Sequence, residues 1–96
     1  MALSFSDATI TSRATGHIAT AWPVPGEPTL WTVTWLPGRN LTRAQAITAM
    51  MLAEAATSGV EPGTARWLHV AGWAEELSLA TEDAVAMASE LPHFEG

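Results

Sequence analysis

The chain has 96 residues, ten acidic against four basic side chains, no cysteine and a formal net charge of −6. Its length makes residues 1–96 a single domain, whose core buries roughly 60–70% of the unfolded surface. The missing cysteines exclude a disulfide framework, and no apolar run approaches the roughly 18–20 residues that a membrane-spanning helix needs.

Met1 to Asp7 has neither the basic start nor the long apolar run of a secretory signal, so a cytoplasmic location is expected. Asp7 to Arg13 alternates Ala8, Ile10 and Ser12 with Thr9, Thr11 and Arg13, which predicts a weak strand at a sheet edge. Gly16 offers a turn. His17 to Trp22 then alternates more cleanly, with Ile18, Thr20 and Trp22 on one side and His17, Ala19 and Ala21 on the other. The prolines at 23, 25 and 28 predict a stiff exposed connection to the next strand rather than a two-residue hairpin turn.

Leu30 to Leu36 is entirely β-branched, aromatic or leucine, and reads as the central strand. Strict alternation puts Trp31, Val33 and Trp35 on one face and Leu30, Thr32, Thr34 and Leu36 on the other. Pro37-Gly38-Arg39-Asn40 is expected to end it. A helix follows from Arg43 to about Thr57. Thr42 and Gln45 have capping-box spacing, and Leu41 is placed to staple against Ala46. Its predicted buried stripe is Ala44, Ile47 and Met51, widened by Ala46 and Met50, with Gly59 as the C-terminal cap and Val60 packing after it.

A second helix is predicted from about Ala65 to Leu77, with Trp67, Val70, Ala71, Ala74 and Leu77 on its buried face. Gly72 weakens it by about 1 kcal/mol relative to alanine. After Ser78-Leu79-Ala80, Thr81 is expected to cap a third helix that carries Glu82 and Asp83 in its first turn and ends at Pro92. Ala84, Val85, Ala88 and Leu91 are its expected core positions. The fold class is α+β: a two- or three-stranded antiparallel sheet packed on one long helix, followed by two shorter C-terminal helices.

None of the familiar catalytic patterns is present. His17, His69 and His93 lack the i, i+3 or i, i+4 spacing of a helical metal site, and no G-x-S-x-G turn marks a nucleophile. The acids of the C-terminal third are spaced as solvated helix faces, so no catalytic residue, metal or cofactor is assigned and an enzyme is not expected. Arg39, Asn40 and Arg43 are the most site-like polar residues of the first half. At the foot of a helix they would offer a weak anion-binding fork beside free backbone N–H groups.

The charge distribution is more telling. Arg13, Arg39, Arg43 and Arg66 offset Asp7, Glu27, Glu54 and Glu61, so the first 66 residues are neutral and the excess acid lies beyond them. That C-terminal third disfavours phosphate backbones and suits a basic protein partner. Five tryptophans exceed the needs of one small core, and tryptophan is enriched at interface centres. The predicted partner-binding residues are therefore Trp67, Trp73, Glu75, Glu76, Glu82 and Asp83. Two alternatives remain. Trp73 to Ala88 has the outline of a helix-turn-helix unit for a DNA-binding regulator, although its reading helix has no Lys or Arg. Trp31 and Trp35, about 13 Å apart on one strand face, would form a stacking ridge for a small ligand or carbohydrate if exposed.

The segments Thr34-Trp35-Leu36-Pro37-Gly38-Arg39-Asn40-Leu41-Thr42-Arg43-Ala44-Gln45-Ala46-Ile47-Thr48-Ala49-Met50 and His69-Val70-Ala71-Gly72-Trp73-Ala74-Glu75-Glu76-Leu77 resemble small uncharacterised proteins of actinobacteria and their phages. The resemblance covers about half the chain and implies neither an activity nor functional residues. The expectation is a non-catalytic interaction or regulatory protein, homodimeric, with a protein partner and no membrane association.

Overall fold

The computed structural model describes residues 3–89. Five strands, β1 (Leu3–Phe5), β2 (Thr9–Ser12), β3 (Ile18–Val24), β4 (Glu27–Val33) and β5 (Leu36–Leu41), form one antiparallel meander in sequence order. Helices α1 (Arg43–Ser58), α2 (Ala65–Glu76) and α3 (Thr81–Ser89) follow. The fold is α+β as expected, but the sheet has five strands rather than two or three.

The two additional strands come from places the local pattern did not mark. The expected edge strand, β2, lies inside the sheet, because β1 pairs with it through Leu3–Ser12 and Phe5–Ile10. The expected central strand is split. Val33 pairs with Leu36, so Thr34 and Trp35 make a two-residue turn and the chain returns as β5. That reversal brings Leu36 to the core face at 2% exposure, opposite to the placement that continuous alternation gives it. Pro37 to Asn40 does not end a strand but bulges within β5, since Trp31 is next paired with Leu41. Proline is tolerated there because β5 is an edge strand, and its bulge also blunts that edge.

The proline-rich connection also differs from expectation. Val24 pairs with Glu27, leaving Pro25-Gly26 as a two-residue hairpin turn with Gly26 at φ +79°. Proline fixes the negative φ that precedes it and glycine takes the left-handed position, which is the chemistry of a type II turn. Pro23 falls where the β3–β4 register shifts, so it interrupts pairing locally without ending the strand.

One sheet face bears Ile10, Ala19, Trp31, Val33, Leu36 and Leu41, all buried. Helix α1 covers it, contacting β2 to β5, while α2 and α3 pack on α1 and on each other. This double contact explains why the buried stripe of α1 differs from the sequence pattern. Ala46, Thr48, Ala49, Met50, Leu52, Ala53 and Ala56 are buried, whereas Ala44 is exposed and Ile47 and Met51 are half-buried. A helix sheltered on two sides buries more than one stripe, and small alanines allow close approach on both.

The helix ends follow local chemistry more closely. Thr42 Oγ1 accepts from the Gln45 amide at 3.1 Å, and Gln45 Oε1 accepts from the Thr42 amide at 2.9 Å, completing the capping box. Gly59, with φ +93°, caps the other end. Thr64 caps α2 by accepting from the Trp67 amide. Thr81 is not a cap: the Ala80 carbonyl accepts the first bond of α3, from Ala84. Val70, Ala74, Leu77, Ala84 and Ala88 are buried as expected, while Trp67, Ala71 and Val85 are half-buried. The expected roles of Leu91 and Pro92 fall outside the described residues.

Candidate functional site

The five tryptophans separate into three environments. Trp31 and Trp35 are 3% and 5% exposed, and Trp35 Nε1 donates to the Ala49 carbonyl of α1 at 3.1 Å. A ligand-stacking ridge on these two rings is therefore excluded; they are core side chains, and the indole N–H has the partner that burial demands. Trp67 and Trp73 are half-buried on α2. Trp22 is 56% exposed, on the sheet face away from α1.

Between the C-terminal half of α1 and helix α2 lies an open groove of about 530 Å³. Met51, Ala55 and Trp73 supply its apolar lining, with Glu54, Arg66 and His69 as its charged and polar side chains. The His69 and Trp73 rings, one helical turn apart, lie 6.2 Å between centroids at 58°. Trp67 does not share this wall. Six positions before Trp73, it stands about a third of a turn away around α2.

The acidic residues flank the turn between α2 and α3. Glu75 and Glu76 close α2, and Glu82 and Asp83 open α3. The intervening Leu77 to Ala80 folds tightly: the Leu79 amide donates to the Ala74 carbonyl at 2.9 Å, and Ser78 takes a left-handed φ of 58°. All four carboxylates are exposed, and no Lys or Arg occurs from 67 to 89. They are not equivalent. Glu76 Oε2 accepts from Thr48 Oγ1 at 3.0 Å, tying α2 to α1. Glu82 and Asp83 sit at a helix N-terminus, where the macrodipole favours acid. Glu75 sits in the last turn of α2, where the dipole disfavours it, and that turn has no basic residue.

The anion-binding fork does not form as expected. Arg39 and Asn40 belong to β5 rather than to a turn at the helix foot, and the Thr42 and Gln45 amides are engaged by the capping box. Arg43 is exposed at the start of α1.

Two polar clusters have no counterpart in the sequence reading. Ser12 Oγ donates to Glu54 Oε1 at 3.1 Å and accepts from the Thr15 amide, fastening β2 and its turn to α1. His17, 3% exposed, lies between Thr34 Oγ1 at 2.8 Å and the Ala88 carbonyl at 3.0 Å. The carbonyl can only accept, so Nε2 carries a proton; Nδ1 then accepts from the Thr34 hydroxyl in the neutral ring. Thr34 Oγ1 also accepts from the Ile18 amide, so every polar atom of the cluster has a partner. This is a structural histidine without an approach for substrate. Among the described residues, no three His, Asp or Glu side chains converge as a metal site would require, and no helix is long and apolar enough to cross a membrane.

Comparison with known protein families, with curated proteins and with solved structures finds no match to this chain.

Proposed function

We propose that this protein is a non-catalytic interaction or regulatory module of the cytoplasm that works as a homodimer and binds a basic protein partner through its helical side. The observation that carries the reading is Glu75. An exposed acid in the last turn of α2 opposes the helix dipole and has no basic residue in that turn to offset it, so helix stability gives no reason for it. Together with Glu82 and Asp83 it makes a cation-attracting corner. The groove containing Met51, Ala55 and Trp73 adds an apolar recess on the same helical layer, suited to an anchoring side chain of that partner.

The DNA-binding alternative draws no support from this geometry. The α2–turn–α3 unit has helix-turn-helix order, but α3 presents Glu82 and Asp83 without a cation, which a polyanion would repel.

The test is a pull-down from source cytosol comparing wild type with Glu75→Lys/Glu82→Lys/Asp83→Lys, at low and moderate salt. Glu76 is left in place because it anchors Thr48. A basic protein retained by wild type, lost on charge reversal and weakened by salt is the expected result. Equal retention by the folded variant overturns the electrostatic reading.

A further inference from the structure

The sheet face away from α1 has a composition unlike the rest of the surface. In-register pairing places Thr9, Thr20 and Thr32 in one row across β2, β3 and β4, with Thr11 beside Ile18 and Trp22 beside Leu30. None of these residues is charged, in a chain whose net charge is −6. Trp22 stands beside the row, two residues on from Thr20 along β3, and is 56% exposed. Its ring is also oriented: Nε1 donates to Thr32 Oγ1 at 2.9 Å, across the diagonal of the β3–β4 pair. The indole N–H is thereby satisfied within the chain, and what remains outward is apolar ring surface with little rotamer freedom left to lose. Helix α1 lies on the opposite face and α2 and α3 pack on α1, so among the described residues no helix shields this side.

We propose that this face is where two copies of the chain meet, back to back, with Trp22 of each packed on the threonine row of the other. A two-fold interface needs one patch to complement itself, and a protruding ring beside a flat uncharged row does so when rotated onto its own copy. Charge favours the same occupant. Two chains of like net charge approach at lower electrostatic cost through an uncharged patch than through their acidic helices, which this arrangement directs away. The Thr, Ile, Leu and Trp residues named here offer a charged partner nothing to pair with.

Area fixes the expected strength. With β1 and β2 only three and four residues long and β3 and β4 seven, at about 3.3 Å per residue and about 4.8 Å between strands, the footprint is about 330 Å² per copy. The total of about 660 Å² lies well below the standard interface, at the low end of weak assemblies. Dimerisation is therefore expected as a weak equilibrium toward the upper end of the micromolar range rather than as an obligate state. The inference deepens the homodimeric part of the proposed function but does not depend on the basic partner.

Sedimentation equilibrium of the full chain from about 1 µM to about 1 mM tests it, at low salt and at about 0.5 M salt. Wild type should pass from monomer to dimer, and more readily at high salt, because screening relieves repulsion between like-charged copies. That is the reverse of the salt dependence expected for a basic partner. Trp22→Ser and, independently, Thr20→Glu should move the midpoint at least tenfold upward in concentration, with their circular dichroism unchanged. Glu75→Lys should leave the dimer intact. A wild-type chain that stays monomeric over the whole range, or a folded Trp22→Ser and Thr20→Glu pair that still dimerises like wild type, overturns the proposal. Loss of partner capture alone leaves the dimer result standing, so the two readings fail separately.

Discussion

The Nε2–H of His17 donates to the carbonyl oxygen of Ala88 at 3.0 Å, joining residues 71 positions apart in the chain. Pro92, four residues on, has no N–H to offer that carbonyl, so His17 supplies a partner from the sheet and ties the start of β3 to α3. Replacing His17 by leucine would take that partner from the carbonyl, at a cost of about 1–3 kcal/mol, while the exposed Thr34 hydroxyl keeps the Ile18 amide. Urea unfolding should report the loss. Hydrogen exchange should place the largest loss of protection in α3, and uniform loss across all helices would contradict this local anchoring.

Trp22 and Trp35 should be distinguishable in solution. Acrylamide quenching of the monomer should be dominated by Trp22, while Trp31 and Trp35 stay shielded. Trp22→Phe should remove most of the readily quenched emission. Trp35→Phe should leave it and instead lower stability by about 1–3 kcal/mol, because the Ala49 carbonyl loses the indole N–H and the smaller ring leaves a void.

Two glycines should respond in opposite directions. Gly72 is exposed within α2, and a methyl group there meets nothing within 4 Å. Gly72→Ala should therefore stabilise the protein by about 0.5–1 kcal/mol through helix propensity. Gly26 also has open space around it, but its φ of +79° is a conformation that L side chains rarely adopt. Gly26→Ala should destabilise by about 1 kcal/mol, as backbone strain alone. Thermal melts of the two variants decide both signs.

The contact between Thr48 and Glu76 can be measured by a double-mutant cycle using Thr48→Val and Glu76→Gln. A coupling of about 0.5–1.5 kcal/mol is expected for a partly buried hydrogen bond to a carboxylate. A coupling indistinguishable from zero would mean that α1 and α2 are held by packing alone.

The sequence by itself determined the elements whose signals are local. The capping box at Thr42 and Gln45, the glycine stop at Gly59, the alternation in β2 and β3, and the extent of α2 each arise from neighbours within a turn or two. Charge segregation needed no structure at all. Each of these expectations fell within a residue or two of the observed boundary, or on the observed face.

Only the tertiary structure decided where the strands turn and which tryptophan is outside. Thr34 and Trp35 carry no turn signature, because both are good strand residues. Their reversal is held by contacts from far along the chain: Thr34 to Ile18 and His17, and Trp35 to Ala49. Once the chain turns there, period-two alternation restarts and Leu36 moves to the core face. The outward Trp22 is equally illegible locally, since Trp22, Trp31 and Trp35 all read as strand residues. Burial was settled by the face on which α1 docked, and a single strand's pattern does not encode which of its two faces a helix will cover.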